Sequence, residues 1–179
     1  ARAALDIDME RVLNPVLHLK HDFSTLALEL TEQMAAKIGR SRRQIREALE
    51  IALEKQNQLH LALFRKGRQF LEAHDPDEPM VVVTGRPYNL HDERLNLRLG
   101  RNLAGIGIAA VPMDLLDVSS VDLSDFPDMY WGLGAQILRT AKFIRSLPHA
   151  FGLHLTNFSC GADSFLEHFY KHVMQEKPY

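Results

Sequence analysis

The sequence predicts an α/β fold: a small doubly wound parallel sheet preceded by a long α-helical hairpin. Three observations carry this expectation. Apolar residues recur at helical spacing through residues 23–37 and again through 41–73; short apolar or β-branched runs follow at 80–84, 105–111 and 151–156; and helical periodicity returns in each gap between those runs and after the last. The implied order is two helices and then β-α-β-α-β-α. Residues 1–75 are the helical hairpin and 76–179 the α/β domain, with right-handed crossovers between the strands.

Each element has a local reason. Residues 1–13 show mixed charge and weak periodicity, and Asn14-Pro15 reads as a turn or helix start. Phe23, Leu26, Leu30, Met34 and Ile38 form a stripe that stops at Gly39, a residue suited to the left-handed position that ends helices. Ser41 and Gln44 have the spacing of a capping box, in which each side chain satisfies an orphan N–H of the other. The row Ile45, Ala48, Leu49, Ala52, Leu59, Leu63, Phe70 and Leu71 then continues to Ala73, interrupted by Gln56 and Gly67. HDPDEP, residues 74–79, is a polar linker.

MVVVT at 80–84 is continuously apolar and β-branched apart from its ends, as a strand covered on both faces requires. Pro87 cannot donate to a ladder, so that strand ends at GRPYN. Leu95, Leu99 and Leu103 predict a helix over 92–104, although the alternation Leu95, Leu97, Leu99 also fits a strand. GIGIAAV, 105–111, is the second strand, closed by Pro112. An acidic loop with a short helical turn near 113–116 leads to a helix capped by Asp128, with Tyr130, Leu133, Ile137, Leu138, Ala141 and Ile144 on its buried side. The third strand, 151–156, is followed by the turn Ser159-Cys160-Gly161-Ala162. A last helix over 163–174 carries the stripe Phe165, Phe169, Tyr170 and Val173.

Composition narrows the function classes. With 46% hydrophobic and 25% charged residues, the 179-residue chain is an ordinary globular protein, and its net charge of -2 gives no electrostatic case for nucleic acid or an anionic membrane. The basic knot of Arg40, Arg42, Arg43 and Arg46 lies among Glu47 and Glu50 and reads as a solvated face. One cysteine cannot form an internal disulfide, and neither a signal peptide nor an apolar run of about 18 residues is present, so a cytoplasmic location is expected. The chain begins at Ala1 and ends soon after a helix; both ends read as cut, predicting a piece of a longer polypeptide. Three strands are few for a sheet, which predicts further strands from outside this chain.

Parallel strands bring two loops to one rim, GRPYNLH at 85–91 and SCGAD at 159–163. Cys160 stands at a strand-to-helix turn, where open α/β sheets collect ligands; a buried, inert cysteine is the alternative. Gly85 and Gly161 permit close backbone approach, Arg86 suits an anionic group and Tyr88 can stack or hydrogen-bond; alternatively, GRP merely terminates a strand. A cysteine–histidine nucleophile would need His91 or His154 as base. The aspartates at 114, 117, 122, 125 and 128 lack calcium-loop spacing, and no CxxC pattern supplies a zinc site. Neither a Walker loop nor GxGxxG is present.

Four segments together resemble a known family: GRPYNLHDERLNLRLGRNLAGIGIAAVPMDLL, DMYWGLGAQILRTAKFI with its Tyr-Trp pair, LHLTNFSCGADSF, and the helix EALEIALEKQNQLHLALFRKGRQFL. They look like 2-hydroxyacyl-CoA dehydratase-like proteins, in particular the large ones fused to an ATP-dependent CoA-substrate-specific enzyme activase. The resemblance spans roughly residues 23–170. It implies a Rossmann-like domain in which Cys160 is one ligand of a 4Fe-4S iron–sulfur cluster used for ATP-coupled low-potential electron transfer. Gly85, Arg86, Pro87, Tyr88, Ser159 and Gly161 would then face the cluster or a CoA-type or nucleotide ligand. The family turn usually reads Cys-Gly-Pro-Asp, and here Ala162 replaces the proline. Because a four-iron cluster needs several thiolates, the resemblance implies further ligands from other domains of the parent polypeptide or a second subunit, and no stable cluster on this chain alone. A homodimer is one arrangement left open, and a non-catalytic interaction domain with Cys160 in its core is the rival reading.

Overall fold

The computed structural model describes residues 12–18, 21–157 and 159–179. Most of the weakly periodic segment 1–13 therefore lies outside the described residues. The chain divides into two compact units, Ala1–His60 and Leu61–Tyr179, with the division falling inside a long helix.

In the first unit α1 spans Phe23–Ile38 and α2 begins at Arg42 and runs to Ala73. Asp22, unmarked in the sequence reading, starts α1: its Oδ1 accepts the backbone N–H groups of Ser24 at 2.9 Å and Thr25 at 3.1 Å. Gly39 ends the helix at φ +62°, its N–H returning to the Ala35 carbonyl. The capping box is formed: Ser41 N–H donates to Gln44 Oε1 at 3.1 Å, and Gln44 N–H donates to Ser41 Oγ at 3.3 Å. Leu26, Ala27 and Ile45 are buried, while α2 is exposed at every position from 50 to 62. The basic knot is solvated, with Arg43 and Arg46 paired one turn on to Glu47 and Glu50.

In the second unit three parallel strands stand in the order β2-β1-β3. They are β1 at Met80–Gly85, β2 at Ala109–Pro112 and β3 at Ala150–Leu155. The chain moves from the central strand to one edge and then back across to the other, which is the doubly wound pattern. Met80 pairs with both Ala109 and Ala150, and at the far end Gly85 pairs with Leu155. The helices are α3 at Pro87–His91, α4 at Leu99–Gly105, α5 at Gly132–Ser146 and α6 at Gly161–Met174, with a 3₁₀ turn at Met113–Leu115. The core joins Met80, Val82 and Val111 of the sheet to Ile137, Leu138 and Ile144 of α5 and Leu166 and Tyr170 of α6, with Phe70 and Leu71 of α2 packed on it. Gly67 explains itself here: a Cβ at this position would fall 1.9 Å from the Leu115 carbonyl oxygen.

Four local expectations are corrected. The helix expected over 92–104 is broken: Leu97 and Arg98 take φ of +54° and +56°, and helical structure resumes only at Leu99. Side chains there compete for the backbone, with Asp92 Oδ1 accepting from the N–H groups of Arg94 and Leu95, and the Asn96 and Asn102 amides donating to the Leu90 and Leu97 carbonyls. Gly105–Gly107 accordingly finish α4 and its turn, so β2 is shorter than expected. Asp128 does not cap α5, whose N-cap is Trp131, and Tyr130 is 88% exposed. On α6, Phe165 faces outward, and Leu166 and Met174 take its place in the core. Among the described residues no helix is long and apolar enough to cross a membrane.

Candidate functional site

Parallel pairing carries the chain ends of β1 and β3 to the same rim, and the next residues of each strand meet. Gly85 has φ +150°, and a Cβ there would lie 2.6 Å from the Leu155 carbonyl oxygen, so the backbones cross more closely than a side chain allows. Arg86 is extended, with φ -74° and ψ 146°, and Pro87 at the first position of α3 fixes the turn behind it. Arg86 is thereby aimed across the rim. Its Nε donates to Asp163 Oδ1 at 2.9 Å, its Nη2 donates to the Cys160 sulfur at 3.0 Å, and its guanidinium carbon lies 5.3 Å from the centre of the Trp131 ring.

Asp163 is the hub of this arrangement. It lies in the first turn of α6, where a carboxylate is favoured by the unpaired N–H groups and helix dipole, and it is only 4% exposed. Its second oxygen accepts the backbone N–H of Asn157 at 3.2 Å, and the Asn157 amide donates to the Tyr88 hydroxyl at 2.8 Å. Burial opposes the charge of Arg86, and the hydrogen bond and attraction of Asp163 outweigh it, raising the guanidinium above its ordinary pKa.

The structure thus gathers Gly85, Arg86, Tyr88 and Cys160 into one constellation. Cys160 is half-buried and is the N-cap of α6. Ser159 turns the chain in the left-handed region at φ +60°. Pro87 and Gly161 shape the backbone; an added Cβ at Gly161 would meet none of this chain's own atoms within 4 Å. A cleft of about 660 Å³ opens beside Arg86, walled by Phe126, Met129, Trp131, Phe165 and Phe169 and touching Ala162.

Two contributors were not singled out by residue reasoning, Asp163 and Trp131. An acid one turn into a helix, opposite an arginine on a neighbouring rim loop, is the signal for the first. The neighbouring histidines are engaged elsewhere. His154 Nδ1 lies 2.9 Å from Thr84 Oγ1, its ring stacks on Tyr170 at 4.7 Å, and burial lowers its pKa. His91 pairs with Asp114. The bonded partner of the Cys160 sulfur is a guanidinium, which cannot take a proton, so this geometry supplies no general base for a cysteine nucleophile.

A parallel α/β unit with a thiol, a guanidinium and a tyrosine along one carboxyl rim is a Rossmann-like domain. The chain belongs to the family described as CoA enzyme activase uncharacterised domain (DUF2229), whose model matches residues 2–116. That match includes Gly85, Arg86 and Tyr88 and stops before Trp131, Cys160 and Asp163. Comparisons with curated proteins and with solved structures gave no match.

Proposed function

We propose that this activase-related domain supplies Cys160 as one thiolate ligand to an iron–sulfur cluster in an ATP-coupled dehydratase/activase-like system. The supporting observation is the sulfur itself, half-buried on the rim and accepting an N–H from Arg86 at 3.0 Å. Such a donor set fits one corner of a cluster: a thiolate, a hydrogen bond to its sulfur and the positive end of a 14-residue helix. It does not make a whole site, because the chain has one cysteine. Bound at this rim, the cluster would supply one-electron chemistry at low potential.

The chain's own residues have definite parts in this reading. Cys160 binds. Arg86 holds an N–H on the sulfur, and Asp163 keeps Arg86 in place. Trp131 stands against the guanidinium, and the aromatic wall of the cleft provides apolar surroundings beside it. The remaining thiolates come from another segment of the complete polypeptide or from a partner subunit. Recognition of an anionic CoA or nucleotide group through Arg86 has less support, since Asp163 already neutralises that charge.

The test is reconstitution of the complete polypeptide, with any partner subunit, using iron and sulfide under anaerobic conditions. Visible thiolate-to-iron absorption is expected for the native protein and its loss in Cys160→Ala. Unchanged absorption and iron content in the variant would overturn the ligand role.

A further inference from the structure

A second cluster of ligand-type side chains lies in the first unit, whose sequence contains no cysteine. Ahead of α1, residues 16–18 are fastened to the face of that helix by two side chains one turn apart. Gln33 forms a two-way clamp with Val16, accepting its N–H at 2.6 Å and donating to its carbonyl at 2.7 Å. Glu29 Oε2 accepts the backbone N–H of His18 at 3.1 Å. With one oxygen so occupied, the carboxylate turns the other toward two imidazoles, Oε1 lying 2.9 Å from His18 Nδ1 and 3.0 Å from His21 Nδ1. The imidazole rings are 5.1 Å apart and inclined by 30°. One ligand atom from each of the three side chains lies within 4.8 Å of the other two, and among the described residues no other three His, Cys, Asp or Glu side chains converge in this way.

We propose that His18, His21 and Glu29 form a binding site for a divalent transition-metal ion of the zinc class. Two imidazole nitrogens and one carboxylate oxygen are the donor set that borderline ions take, whereas calcium and magnesium prefer all-oxygen sites. The spacing agrees. Metal–ligand bonds of about 2.0–2.1 Å put two ligand atoms about 2.9 Å apart at a right angle and about 3.3 Å apart at a tetrahedral angle. The His–Glu separations already match the first and need only a few tenths of an ångström to reach the second. Both imidazoles turn Nδ1 toward a single oxygen, so an ion bound there would take the place of their N–H protons as the partner of both nitrogens. The backbone bond from His18 to Glu29 Oε2 is the outer contact that fixes a ligating carboxylate. His18 and His21 side chains are 62% and 47% exposed, which leaves the outward side open for water to complete the coordination.

Titration of the chain with Zn²⁺, and with Co²⁺ as a spectroscopic stand-in, tests this. One equivalent is expected to bind, with the weak visible bands of nitrogen- and oxygen-ligated Co²⁺ and no thiolate charge-transfer band from Cys160. His21→Ala and Glu29→Gln should each weaken binding at least tenfold while circular dichroism stays unchanged, since His21 is exposed and the glutamine amide oxygen can still accept the His18 N–H. Absence of saturable uptake, uptake unchanged in both variants, or a cobalt spectrum dominated by thiolate would each overturn the assignment.

Discussion

Asp163 shows how a single buried carboxylate organises a rim. Its side chain is 5% exposed and that of Arg86 23%, so the pair is largely withdrawn from water and neither charge is well solvated without the other. Asp163→Ala would leave the guanidinium without its carboxylate and the Asn157 N–H without its acceptor. We expect a loss of about 3 kcal/mol in denaturant unfolding, the low end for breaking a buried pair because Arg86 still reaches solvent. Double substitution with Arg86→Met should recover part of it, and a purely additive result would show that the two side chains are uncoupled. Cys160 was legible as a rim residue because a strand, a glycine turn and a helix flank it at short range. Its partners were less so: Arg86 and Asp163 are 77 positions apart, and only the strand pairing brings them together.

The long helix α2 carries a different lesson. Its cap, length and period are local properties, and the chain spells them out in Ser41, Gln44 and the leucine row. Which parts of its stripe are covered is a tertiary matter: Ile45 near one end and Phe70 and Leu71 near the other find partners, while positions 50–62 face solvent. Gly67 interrupts the stripe because the 3₁₀ turn at Met113–Leu115 presses a carbonyl against it. Gly67→Ala replaces the poorest non-proline helix former with the best, yet we expect a destabilisation of about 1–3 kcal/mol from overpacking against backbone. A stabilised protein would instead mean that the turn can withdraw. The break at Leu97 and Arg98 was illegible for a related reason, since leucine periodicity continues through residues whose asparagine neighbours hold the backbone in turns.

At the scale of the whole molecule, buried groups shared by β1, β3 and α6 link stability to pH. Tyr170 is fully buried under the sheet and its pKa is pushed from the usual 10.0 up to about 12, chiefly by desolvation. The folded state therefore keeps its proton where the unfolded chain loses it. The stabilisation, roughly 3 kcal/mol for a shift of that size, is complete below pH 10 and disappears as the pH rises toward 12. His154, stacked on the same ring, is shifted downward by burial, so its contribution is present above its ordinary value of 6.5 and declines as the pH falls below it. Denaturant midpoints measured across pH should form a plateau between these limits, and Tyr170→Phe should remove most of the alkaline decline. A native-like decline in that variant would place its origin elsewhere. The fold class was readable from periodicity, and the rim from strand order; the pairing of Thr84, His154 and Tyr170 was not, because it depends on three elements stacking in register.

The chain contains one tryptophan, and it stands over the guanidinium that holds the lone sulfur. Nature has in effect fitted this crevice with its own fluorophore. Alkylating the thiol, or seating a chromophoric group against it, changes the field and the quenching felt by that indole, so events on the rim can be followed by emission from the unlabelled protein.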